Sequence, residues 1–141
     1  MKGDNSLRQE ADKQQGQWGF FGVDLSDSFV LAWRLQQRDL CFDLECSLWP
    51  DHPLYESPLP DHYTCYKRGV LRLPAVEHLV GLRALGAVEP IPSSFNSDAD
   101  DYGCIDVFEQ TSSDTWHLEG EFGEVQIICG TPILCIRGAQ L

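Results

Sequence analysis

The sequence predicts a mostly β domain, an antiparallel sandwich or a partly open barrel. Three observations carry that reading. Leu40, Phe42, Leu44, Cys46 and Leu48 alternate with Cys41, Asp43, Glu45 and Ser47, giving one apolar and one wetter face. Several further short apolar runs follow, separated by Gly, Pro and acidic residues. Candidate helices are nearly absent. With 141 residues, the chain fits one domain, and a chain of that size buries about two-thirds of its unfolded surface in a real core.

Residues 1–17 are polar on all sides, so they are expected to form a flexible tail ahead of a single β-rich domain over 18–141. Trp18-Gly19-Phe20-Phe21-Gly22 opens the folded part. In the first strand Phe29, Leu31, Trp33 and Leu35 alternate with Ser28, Val30, Ala32 and Arg34, which predicts that the former set faces the core. Gln36–Asp39 is a connection of hairpin length before the Leu40–Leu48 strand.

Residues 49–61 contain Pro50, Pro53, Pro58 and Pro60 and cannot join a sheet interior. They form a stiff loop carrying Trp49, His52 and Tyr55. A strand over 62–73 ends at Pro74. Residues 75–85 are divided between two readings: Val76, Leu79, Val80 and Leu82 suit one helical face, whereas Gly81 and Gly86 suit a bulged strand. A helix there would make the fold α+β. Residues 87–102 read as irregular, and the rest as strands over 104–109, 115–119, 122–129 and 133–137. Gly120 and Gly123 mark a turn or a bulge.

Composition excludes several function classes. No run of 18 apolar residues spans a membrane, and no secretory segment is visible in residues 1–17, so the expected location is cytoplasmic. The formal charge of -12 disfavours nucleic acid, because phosphate neutralisation needs clustered Lys and Arg. In a reducing compartment, Cys41, Cys46, Cys65, Cys104, Cys129 and Cys135 are expected to be reduced and structural.

No cofactor is called for. His62 and Cys65 would point to opposite faces of a strand, and zinc sites use closely spaced ligand sets. Asp98, Asp100 and Asp101 lack the Gly and closing Glu of a calcium loop. No nucleophile elbow or phosphate loop is present. A hydrolytic or small-ligand site would have to use a pocket near His117 or His52.

The charge is distributed unevenly. Residues 1–83 carry nine basic and twelve acidic side chains, whereas residues 84–136 carry ten acidic ones and no Lys or Arg. A focused negative potential attracts cationic partners and speeds their encounter. The expected partner-binding residues are therefore Asp43, Glu45, Asp98, Asp100, Asp101, Glu119, Glu121 and Glu124, with Trp49 and Tyr55 as anchors. The expected partner is a basic protein.

Asp24-Leu25-Ser26-Asp27-Ser28, followed by the strands Phe29–Leu35 and Leu40–Leu48, resembles the opening of small bacterial YxiG-like and immunity-type β proteins. Those families place Leu-His-Asp-Ser before a two-strand hairpin. Leu25, Asp27 and Ser28 match, and Ser26 stands where the family has His, so a role carried by that His does not transfer. The resemblance spans residues 24–48. It implies a sheet-based domain that neutralises a cognate toxin by binding it, with Asp27 and Ser28 structural rather than catalytic.

Overall fold

The computed structural model describes residues 20–58, 60, 64–91 and 101–137. The polar segment 1–17 lies outside them, as do Asp98 and Asp100. Strands β1 (Val23–Gln36), β2 (Asp39–Leu48) and β3 (Cys65–Leu73) pair antiparallel in succession, and β8 (Ile133–Ile136) completes the sheet in the order β1-β2-β3-β8. The second sheet runs β4-β7-β6-β5, from β4 (His78–Leu82), β5 (Val107–Ser112), β6 (Thr115–Gly120) and β7 (Gly123–Ile128). The fold is a mostly β sandwich and not a closed barrel.

The core lies between the sheets. The β2 alternation places Leu40, Phe42, Leu44, Cys46 and Leu48 inward, all buried, as its sequence pattern predicts. From the other sheet, Leu118, Val125 and Ile127 meet them with no exposed surface. Phe122 closes the gap, its ring 4.8 Å from that of Phe42.

The first strand departs from its predicted face. Val30 pairs with Leu44 and Ala32 with Asp43, so Leu31 is an extra residue, a β-bulge. The bulge reverses the parity of the strand. Ser28 and Val30 point inward before it and Trp33 after it, while Phe29 and Leu31 are only partly buried. Leu35, at the hairpin end, is 53% exposed. Once turned inward, Trp33 sets its ring edge-on to Tyr102 (5.1 Å) and Phe122 (6.0 Å), and its indole N–H donates to Arg83 O at 2.8 Å. One side chain thus bonds across both sheets.

A larger irregularity lies upstream, where Asp24 pairs with Ser47 but Phe29 with Glu45. The intervening backbone loses its ladder partners, and Ser28 replaces them. Its hydroxyl donates to Asp24 O (2.7 Å) and accepts from Ser47 N–H (2.9 Å) with no exposed surface. Asp27 accepts a long bond from the Tyr66 hydroxyl at 3.4 Å.

Residues 101–112 join the two sheets along one side. Tyr102 N–H donates to Val30 O and Val30 N–H to Gly103 O, each at 2.8 Å, and Phe29 bridges to Cys104. Two residues later Asp106 N–H donates to Glu119 O, and the same chain enters the second sheet as β5. The segment 104–109 read as one strand therefore splits between a bridge to β1 and a β5 that begins at Val107.

Within residues 75–85 the strand β4 (His78–Leu82) forms, and not an α-helix. Gly81 takes φ +92°, and a Cβ there would overlap the Glu124 carbonyl oxygen across a register shift in the β4–β7 pair. Helix is ruled out at this position because the backbone needs that left-handed geometry and close approach. The only helical piece nearby is a 3-10 turn, Leu85–Ala87. Gly120 and Gly123 pair with each other and close a two-residue turn between β6 and β7, resolving the turn-or-bulge alternative.

Two consequences can be measured by urea unfolding. Ser28→Ala leaves Ser47 N–H and Asp24 C=O without partners in a buried site, and should cost about 1–3 kcal/mol. Gly81→Ala should cost more than about 1 kcal/mol, because it adds a clash to a positive φ, whereas Gly86→Ala, with open space around its Cβ, should be nearly neutral.

Candidate functional site

Strand parity fixes the second sheet's outer face. Phe108, Leu118 and Val125 point inward, so Val107, Glu109, His117, Glu119, Glu124 and Gln126 point outward. Across the strands Glu109 faces His117, which faces Gln126, and Glu119 faces Glu124. Three carboxylates therefore surround one imidazole. Like charges placed directly opposite each other destabilise a sheet, and the Glu119–Glu124 pair is of that kind.

His117 Nε2 lies 2.6 Å from Glu119 Oε2. The hydrogen bond to Glu119 raises the His117 pKa above 6.5; burial opposes it, and the charges of Glu119, Glu109 and Glu124 add smaller support. Among the described residues no hydroxyl or thiol bonds to His117, and Thr115, its neighbour on the same face, donates instead to Asp114 at 3.0 Å. The His–Glu pair has no nucleophile to activate.

The expected partner-binding residues fall into separate groups. Glu119 and Glu124 share the face just described, and Glu121 sits exposed in the adjoining turn. Asp43 and Glu45 lie on the other sheet's outer face among arginines. Asp43 binds Arg34 at 3.0 Å, and Glu45 lies across from Arg68. Asp101 pairs by backbone with Ile91 and accepts Gly103 N–H at 2.8 Å. Trp49, 52% exposed, and Phe21, 41% exposed, lie at the end of the β1–β2 pair. Tyr55 packs against the core.

Glu109 belongs to the glutamate face and was missed by the sequence reading. Its alternation with Phe108 was the available signal.

His52 is a different kind of histidine. It is 3% exposed, with Nδ1 accepting Leu54 N–H at 3.0 Å and, among the described residues, no hydrogen-bond partner for Nε2. Burial lowers its pKa, partly offset by Asp51, and so disfavours the protonated imidazole. It packs against Gly22, where a Cβ would contact the His52 side chain at 2.8 Å. It braces the loop and lines neither of the two cavities described among these residues.

All six cysteines are free thiols. Among the described residues no group of three or more His, Cys, Asp or Glu side chains is placed to hold a metal ion, and no helix is long and apolar enough to cross a membrane. Comparison with protein-family models, with curated proteins and with solved structures gives no match.

The His117 arrangement has a defined pH signature. Folding raises its pKa, so the stabilisation is full below the unfolded value near 6.5 and disappears as pH rises through the folded value. Urea midpoints of wild type and H117Q should therefore differ at pH 5.5 and converge by pH 9. A constant difference across that range would remove the protonated pair from the account.

Proposed function

We propose that this chain is a non-enzymatic protein-binding module that docks a cationic partner on the outer face of β5, β6 and β7. The observation that carries this reading is the placement of Glu109, Glu119 and Glu124 on three adjacent strands with no Lys or Arg among them. Val80 adds apolar surface at the β4 side, 48% exposed. An acidic field around a partly apolar patch favours rapid encounter with a basic surface, followed by desolvation of a small centre.

The immunity-type resemblance of residues 24–48 fits this mode of action, since toxin neutralisation by such proteins is a binding event. On that reading the opening motif builds the scaffold and the distant sheet makes the contact. Ser28 is wholly buried and cannot touch a partner.

The test uses an oligolysine peptide as the basic probe, with amide NMR shifts as the readout. The expected result is saturable shifts on β5–β7 that weaken as salt rises. A combined E109Q/E119Q/E124Q variant should bind about tenfold more weakly, within the range of electrostatic steering. Shifts spread evenly over the molecule, or binding unchanged in the triple variant, would overturn the assignment.

A further inference from the structure

The outer face of the other sheet mixes arginines with carboxylates. On the outer side of β3 and β8, Arg137 N–H donates to Arg68 O at 2.7 Å and extends the ladder by one position beyond the Gly69–Ile136 pair. Two guanidinium side chains therefore sit directly opposite each other on neighbouring strands, both exposed. Such a pair repels, and Arg remains charged at every accessible pH.

Glu45, across β2 from Arg68, offsets part of this repulsion, and the other nearby carboxylates are engaged elsewhere. Asp43 is engaged by Arg34 at 3.0 Å, Asp39 by Arg72 at 3.5 Å and Glu56 by Lys67 at 3.3 Å. Glu45 faces Arg68 across β2, yet among the described residues neither Arg68 nor Arg137 has a carboxylate within ion-pair distance. Among the described residues, these two neighbouring arginines thus make no ion pair, on a chain with a formal charge of -12.

Space for a ligand adjoins both. A shallow cavity of about 140 Å³ is lined by Leu31, Asp43, Arg68, Gly69 and Arg137. A second, of about 160 Å³, lies beside Arg137 and is lined by Tyr55, Glu56 and Lys67 together with Pro53 and Leu54. Arg137 borders both.

We propose that Arg68 and Arg137 form a binding point for a phosphate group, free or as a small monoester. Two planar forks match the oxygens of a tetrahedral dianion, and Arg is the side chain best suited to that bidentate contact. The dianion also cancels the two charges that otherwise repel. The cavities are open and small, so the site holds the phosphate group itself and makes few contacts with whatever bears it.

Titrating the full chain with inorganic phosphate, against sodium chloride at matched ionic strength, tests this by amide and arginine side-chain NMR. Saturable shifts should appear at Arg68, Gly69, Ile136 and Arg137, with a midpoint in the millimolar range. R68Q and R137Q should each weaken binding about tenfold, the loss of one charge-assisted contact. R72Q, which removes an arginine already paired with Asp39, should leave the midpoint unchanged. A parallel titration with glycerol phosphate separates the sources: equal midpoints indicate recognition of the phosphate group alone, and a tighter one indicates added contacts to the ester. These exposed substitutions are checked for folding in the same spectra. Phosphate shifts no larger than those of chloride, or an R68Q variant that titrates like wild type, would overturn the proposal.

Discussion

The bulge at Leu31 is the constraint from which much of this structure follows. By inserting one residue into β1 opposite the Leu44–Asp43 step, it reverses the strand's parity and carries the Trp33 ring into the core. There the indole meets Phe122 and Tyr102 and spends its N–H on Arg83 O at the end of β4. Without the insertion, the strand would bury Val30 and Ala32 and leave Trp33 on the wet side. Ser28 serves the same strand from the other direction, supplying from a side chain the bonds that an irregular backbone cannot. Bulges commonly re-aim side chains in this way.

Once the parities are set, the outer faces differ in electrical character: one mixes arginines and carboxylates, and the other carries glutamates. Around β3 and β8 the arginines outnumber their carboxylate partners, and around β6 the glutamates gather about a single imidazole. His117 and His52 then respond to acid in opposite senses. His117 is raised by Glu119 and favours the folded state when protonated. His52 is lowered by burial and opposes folding when protonated, a cost that sets in as pH falls below about 6.5. Mild acid therefore strengthens one side of the molecule while loosening the loop that caps the other.

Much of this architecture is legible in the residues. The β2 alternation gave the right face, because a central strand with uninterrupted period two has no freedom of register. Trp116 and Leu118 against His117 and Glu119 were readable for the same reason. The β1 face was not, since an inserted residue leaves no mark in composition and Phe29, Leu31, Trp33 and Leu35 form an apolar series either way. Residues 75–85 hid a strand behind a helical spacing of Val76, Leu79 and Val80; only the φ of Gly81 separates the two. The candidate site was legible in sign but not in place. Counting charges located an acidic second half, yet Asp43 and Glu45 belong to the opposite sheet. The Arg68–Arg137 juxtaposition depends on a pairing between residues far apart in the chain, which no local pattern encodes.

The six thiols lead to one more consequence. Cys41, Cys46, Cys65 and Cys129 are buried, and Cys135 alone stands exposed on a strand at the sheet margin. Burial pushes the Cys46 thiol up to about 12, and Cys104 and Cys129 to about 11, which slows their reaction, because the thiolate is the reactive form. An alkylating reagent would mark Cys135 at the margin first, and Cys46, Cys65 and Cys129 in the core only when the layers part. The chain thus carries its own chronometer of opening, with one sulfur to start the count and the rest to record each excursion.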